Sequence, residues 1–195
     1  MKIFSEINTP RFVIRPMQLI DAIPYFEAEQ ASLKELAPHW SWAKADKSTN
    51  DIQIFIEESM QVNEMENPPE MYFSIFSRED YKFLGTIWLF EINWFVPHFE
   101  IAYWLDTRET GHGYMSEAVN ALTRACFILY GAKRIQIKIA TYNQKSNALA
   151  KKLGFQLEGE MRNFFINFTT QQISNGNLYS CINLEVLPEL DIKIT

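Results

Sequence analysis

Cysteine is almost missing from this sequence. Among 195 residues only Cys126 and Cys181 carry thiols, and with no further cysteine pattern they frame neither a disulfide scaffold nor a metal site. They read as buried thiols in a reducing, cytoplasmic compartment. Positive charge is also short. Eighteen Lys and Arg face 24 Asp and Glu, for a net charge of -6 and a pI near 5.2. That balance excludes nucleic acid gripped through its phosphates and suits a cationic acceptor such as an amine. No apolar run is long enough to span a bilayer, and Met1–Glu6 shows no signal-peptide core, so no membrane partner is expected. Repeats, low-complexity tracts and linkers are absent too. A chain of this length holds one sizeable core, and residues 1–195 read as a single domain.

What is plentiful is apolar surface. Hydrophobic residues make up 47% and aromatics 14%. Such a surplus serves a bulky core first, and an aromatic cleft or a homodimer interface next. The stretch Glu100–Ala118 stands out. It opens as an apolar, aromatic-rich run that reads as a buried strand. It passes through Gly111-His112-Gly113 and becomes helical, with Ala118, Ala121, Leu122, Ala125, Cys126 and Leu129 on one face. A strand feeding a glycine turn that opens a helix is a phosphate-holding device. The first helical N–H groups lack partners, and the dipole adds about half a positive charge.

The neighbours of the turn narrow the choice. A P-loop needs Lys-Ser or Lys-Thr after the last glycine, and here Tyr114-Met115 follows. A dinucleotide fold wants a carboxylate about 20 residues on; Gly131–Ile135 has none. Arg108-x-x-Gly111-x-Gly113 has the look of an acyl-CoA diphosphate motif. A second register fits better. Glu100-Ile-x-Tyr-Trp-Leu105 followed by Gly111-His-Gly-Tyr-Met-Ser-Glu-Ala118 resembles the GCN5-related N-acetyltransferases (GNAT), in particular the ribosomal-protein N-terminal (RimJ/RimL-type) branch. In that register Thr110 stands where Gln or Arg is usual, and Met115 where a small residue is usual.

The remaining chain follows one pattern. Arg11–Arg15 alternates and reads as a strand. Asp21 is the expected N-cap of a helix to about Leu36, and Ser48–Asp51 caps a second to about Glu66, with Ile52, Phe55, Ile56 and Met60 inward. Met71–Phe76 and Phe83–Ile92 form a strand pair in which Gly85 marks a bulge or close backbone approach. Arg134–Ile139 alternates cleanly. Asn143–Leu153 is a short helix capped by Asn143 and ended by Gly154, with Phe155 past the cap. Phe155–Phe168 and Asn177–Val186 are the last strands, with Asn175-Gly176 as the turn between them. The order is strand, two helices, three strands, helix, strand, helix, two strands. An α/β (α+β) fold results, a mixed, mostly antiparallel sheet of about seven strands with about four helices. The GNAT resemblance implies the same order from roughly Pro10 to Leu187.

The resemblance also implies a site. Acetyl-CoA is the implied cosubstrate, with no metal. Tyr103, Leu105 and Thr107 at the strand end, Gly111, His112, Gly113, Tyr114 and Met115 in the turn, and Asn143 in the later helix are its implied contacts. Many acetyltransferases carry a late-helix tyrosine as general acid; Ala150 holds that position here. Ser146 matches the serine of the ribosomal branch. A hydroxyl in the first turn points back toward the helix N-terminus and can donate to a leaving thiolate. A thiol of pKa about 8.5 needs little help. A cap or solvated role explains Ser146 equally well. Glu100, at the start of the strand, is the candidate base, directly or through water; a plain strand-end carboxylate is the competing reading. Some ribosomal acetyltransferases place a glutamate where Phe165 stands. A free main-chain N–H at Leu105 could hold the thioester oxygen if the strands splay. His39, Trp40 and Trp42 resemble the family's tryptophan pair walling the acceptor cleft, though spaced tighter, and Tyr179 resembles a cleft tyrosine of the closing strand. Packing roles suit all four as well.

The expected activity is direct transfer from acetyl-CoA to an amine through a tetrahedral intermediate. The acceptor implied by the resemblance is a protein N-terminus, ribosomal in kind. An α-amine of pKa about 8 is deprotonated more cheaply than lysine at about 10.4. A polyamine or other small amine is the alternative acceptor, and a non-catalytic CoA-binding module is the alternative of another class.

Overall fold

A computed structural model describes residues 3–195. Its elements are β1 (Ile7–Asn8), β2 (Phe12–Pro16), α1 (Ala22–Ala31), α2 (Leu33–Leu36), α3 (Thr49–Asn63), β3 (Met71–Ser77), β4 (Phe83–Asn93), β5 (His98–Leu105), α4 (Tyr114–Tyr130), β6 (Arg134–Ala140), α5 (Gln144–Lys152), β7 (Gln156–Ile166), β8 (Ile173–Cys181) and β9 (Lys193–Ile194). The strands form one sheet in the order β7-β8-β6-β5-β4-β3-β2-β1-β9. Among the described residues only β5 and β6 run parallel, because α4 carries the chain back between them.

Strand alternation assigns the two faces. On β5, Phe99 and Ile101 join Ala118, Leu122 and Cys126 of α4, while Trp104 joins Tyr25 of α1 and Ile52 and Ile56 of α3. The register of β4 against β3 slips once. Ile75 pairs with Gly85 and Phe76 with Phe83, leaving Leu84 as the extra residue of a bulge. A Cβ on Gly85 would lie 2.3 Å from the Trp104 carbonyl oxygen, so the close approach expected there is real. Caps behave as expected at two helices. Ser48 Oγ accepts from Asp51 N–H at 3.3 Å, and Ser48 N–H donates to Asp51 Oδ2 at 2.7 Å. Asn143 Oδ1 caps α5 at Ser146 N–H, 3.2 Å, and Gly154 and Phe155 close it by bonding back to Lys151 and Ala150.

Several details differ from the pattern. Toward one edge of the sheet β1 and β9 are two residues each, too short for a periodic signal, so among the described residues the sheet has nine strands. The first helix breaks at Ser32 into α1 and α2, giving five α-helices among the described residues, and α3 ends at Asn63. Asp21 does not cap. Its buried carboxylate takes a forked contact from Arg15 at 2.9 and 2.7 Å and another from Ser74 Oγ at 2.8 Å. Leu129 is exposed, and Val119 and Tyr130 complete the inner face of α4. Asn175-Gly176 is not a turn. It lies within β8, where the Phe165 ring covers Gly176. The reversal comes earlier, at 167–172, where Asn167 Oδ1 accepts from the N–H groups of Thr169 and Thr170. β8 ends at Cys181. Among the described residues no helix is long and apolar enough to cross a membrane.

Candidate active site

The site begins where a sheet stops being a sheet. β5 and β6 pair only from His98↔Arg134 to Glu100↔Gln136. Beyond that, β5 stays with β4 as far as Leu105 and β6 stays with β8 as far as Ala140, so a gap opens between them. Asp106 N–H donates to Leu84 on β4 at 2.8 Å. By the alternation of a strand's two edges, the N–H groups of Leu105 and Tyr103 therefore turn into the gap.

The α4 turn lies at one end of it. Gly111 and Gly113 hold φ of 92° and 76°, a left-handed backbone that side-chain-bearing residues resist. Among the described residues, the N–H groups of Gly111 through Ser116 donate to no protein acceptor; the first satisfied one is Glu117, bonded to Gly113. Six consecutive donors at a helix N-terminus suit a bound diphosphate.

The start of α5 faces the same gap. A groove of 620 Å³ runs from Gly111 and Met115 past Leu105 to Asn143 and Ser146. A second cavity of 310 Å³ continues it to Glu100 and shares His39, Trp40, Tyr103, Asn143 and Ser146 with it. The Tyr103 hydroxyl is buried without a hydrogen bond of ordinary geometry. Burial pushes it up to about 12, partly offset by Ser146 beside it. Asn147 anchors this end of α5. Its amide donates to the carbonyls of Ala140 at 3.0 Å and Asn143 at 2.8 Å, and its Oδ1 accepts from Asn177 and Tyr179.

At the far end Glu100 is buried, held by Lys138 Nζ at 2.7 Å and Gln136 Nε2 at 2.9 Å. Phe164 and Phe165 wall the cavity there. His39 stacks on Tyr142 at 5.2 Å, and burial lowers its pKa. The groove thus holds an anion cradle, an unpaired strand edge, a hydroxyl at a helix N-terminus and a buried carboxylate, in that order.

Known proteins share the fold that frames this groove. The family model of the acetyltransferase (GNAT) domain matches residues 11–156, most of the chain. The chain belongs to the GNAT acetyltransferase family. It is an N-acetyltransferase by that membership. A probable N-acetyltransferase of Bacillus subtilis (strain 168), YjcK, is 27% identical over 76% of this chain and 82% of its own length. The ribosomal-protein-serine acetyltransferase of Escherichia coli (strain K12) is 35% identical over 43% of this chain and 45% of its own. The crystal structure of the microcin C7 self immunity acetyltransferase MccE, in complex with acetyl-CoA and AMP, superposes with a TM-score of 0.81. It is 25% identical, over 89% of this chain and 93% of that one.

Against this GNAT frame the expected residues divide. Tyr103, Leu105, Gly111, Gly113, Tyr114, Met115, Asn143 and Ser146 line the main groove, with His39 and Trp40 at its junction. Thr107 lines it too, but its N–H is already spent on Ser32 Oγ at 2.9 Å. His112 does not line it; its carbonyl accepts from Arg11 on the outer side of the turn. Arg108 is bound by Asp106, consistent with the second register of the motif. Trp42 lies off the main groove, in an adjoining aromatic cavity with Trp40, Trp88 and Trp104. Tyr179 does not reach the cleft. It is a core residue whose hydroxyl donates to Asn147 Oδ1 at 3.1 Å. Sequence reasoning missed Lys138 and Gln136, although the alternation of Arg134–Ile139 marked them as the polar face of that strand. It missed Arg11 and Asn147 for want of any local signal. Among the described residues no three His, Cys, Asp or Glu side chains could hold a metal.

Proposed function

We propose that this acetyltransferase moves the acetyl group of acetyl-CoA onto the α-amine of a protein N-terminus, ribosomal in kind. Acetyl-CoA supplies the activated acyl group when bound. The observation that carries the reading is the run of six unpaired N–H groups at Gly111–Ser116, continuous with the unpaired edge of β5. A diphosphate needs several fixed donors, and a pantetheine arm needs a strand edge to pair with; the groove offers both in that order.

The chain's own groups then have distinct tasks. Leu105 N–H is placed to hold the reacting carbonyl oxygen, a contact worth about 3 kcal/mol of barrier. Ser146, with its N–H capped by Asn143, keeps its proton and donates a hydrogen bond to the sulfur, which departs as the thiolate. Glu100 receives the proton released by the amine, directly or through water. Lys138 and Gln136 fix its orientation meanwhile. Tyr103 keeps its buried hydroxyl beside Ser146, on the wall the two cavities share. The N-terminal acceptor is supported by the local likeness to the ribosomal-protein-serine acetyltransferase and by the chain's acidity. Two unbridged, buried thiols suit a cytoplasmic setting.

The test is a screen of N-terminal peptides, polyamines and amino sugars with acetyl-CoA, read by mass and by thiol release. Acetylation of a peptide α-amine above all others is the expected result. Preference for a small amine would replace the acceptor. Tight CoA binding with no transfer to any amine would reduce the protein to a CoA-binding module.

A further inference from the structure

Arg11 sits one residue before β2, far from the glycine turn in sequence and against it in space. Its own main chain is tied down on both sides. The Arg11 N–H donates to Thr9 Oγ1 at 3.3 Å, and its carbonyl accepts from Arg78 N–H at 2.9 Å. From this anchored base the guanidinium meets four residues of the turn and the first helical turn behind it. Nη1 donates to the His112 carbonyl at 2.7 Å. Nη2 is the nearest atom to the open side of Gly113. The guanidinium lies over the Tyr114 ring at 4.8 Å. Nε pairs with Glu117 Oε2 at 2.6 Å.

The Glu117 contact raises a physical problem that Arg11 solves. Glu117 stands in the first turn of α4, where a carboxylate is drawn to the same free N–H groups that a diphosphate needs. Left to itself it would compete with the ligand and repel it. Instead it stays out of the groove lining, only 12% exposed, with its charge matched by Arg11 and its other oxygen buried without a partner. The His112 carbonyl, which could also fold back on the cradle, is held by the same side chain.

We propose that Arg11 is the positioning residue of the diphosphate cradle, keeping Glu117 and the His112 carbonyl off the donors of Gly111–Ser116. It acts through the turn and not by touching the phosphates. The inference rests on the acetyl-CoA reading above.

Calorimetry of coenzyme A with the unliganded protein tests it, alongside turnover of S-acetyl-pantetheine, which lacks the diphosphate. Arg11→Ala should weaken CoA about tenfold or more, the worth of one charge-assisted contact between the cradle and the diphosphate given up to Glu117, and raise the KM for acetyl-CoA to match. Its kcat should stay within about threefold, and its KM for S-acetyl-pantetheine within about twofold, because the damage is confined to the diphosphate end. Adding Glu117→Gln to Arg11→Ala should restore most of the affinity. No restoration would mean that Arg11 holds the phosphates itself, and the proposal fails. It fails too if Arg11→Ala binds CoA like the parent, or loses both acyl donors equally. Should Arg11→Ala not fold, Glu117→Gln alone decides. It leaves Arg11 uncancelled beside the turn, so CoA should bind about twofold tighter or better; weaker binding overturns the idea. Absence of CoA heat in the parent protein would instead overturn the acetyl-CoA reading, and this inference with it.

Discussion

Gly85→Ala probes the link between packing and chemistry most directly. Gly85 pairs with Leu105, and its missing side chain lets β5 come close. An added Cβ would meet the Trp104 carbonyl oxygen at 2.3 Å and Leu105 Cα at 2.8 Å. Both are main-chain atoms, so no rotamer change relieves them. Opening 2.3 Å to an ordinary 3.4 Å moves the end of β5 by about 1.1 Å. Overpacking of that kind costs about 1–3 kcal/mol, and each main-chain hydrogen bond lengthened with it about 1 kcal/mol more. A loss of about 2–4 kcal/mol is expected, a large share of a typical domain's 5–15 kcal/mol. The same movement carries Leu105 N–H away from the reacting oxygen. A misplacement of about 1 Å in an active site costs about 100-fold in rate. Urea titration gives the first quantity, and thiol release at saturating acetyl-CoA, below the unfolding transition, gives the second. Loss of stability with kcat unchanged would show that Leu105 does not hold the reacting carbonyl. Unchanged stability would refute the packing argument itself.

Other outcomes follow from the same geometry. Ser146→Ala should lower kcat about 10- to 150-fold, the worth of one hydrogen bond to a developing charge, with CoA affinity within about twofold; unchanged thiol release would remove Ser146 from the reaction. Asn147→Ala should cost about 3 kcal/mol or more in a urea melt, since four hydrogen bonds meet at that buried amide. Tyr179→Phe should cost about 1 kcal/mol and leave the acceptor KM unchanged; a raised KM would put Tyr179 back at the cleft. Arg134, followed by Ser180, holds Glu158 down to about 2, against about 4.3 for a free glutamate. A depressed carboxylate stabilises the fold fully above its unfolded pKa and loses that contribution as pH falls through its folded one. Arg134→Gln should therefore lower Tm at pH 6–7, modestly because the pair is partly exposed, and match the parent near pH 2. A gap persisting at pH 2 would trace the effect to packing.

The order of the main elements was legible because each rests on contacts within a few residues. Ser48-x-x-Asp51 is a complete cap within four residues. The polar and apolar residues of Arg134–Ile139 alternate without help from any partner. Gly111-His112-Gly113 states its own backbone need. Asn175-Gly176 misled because a turn-forming pair is only a local preference, outweighed here by the Asn167 turn and the Phe165 ring over Gly176. Asp21 misled likewise, since a buried Arg15 offers a carboxylate more than a helix N-terminus does.

The sequence alone determined that a strand, a glycine turn and a helix would present unpaired N–H groups, and that Ser146 would stand in the first turn of a later helix. Only the tertiary structure decided that these meet across one gap, that Glu100 lies under Lys138, and that Arg11 reaches Glu117 across 106 positions. Hydrogen bonds between neighbours leave a periodic trace in the chain. Contacts across a sheet depend on register, on a single extra residue at Leu84, and on where β5 and β6 part. Those are settled by how the whole set of strands packs.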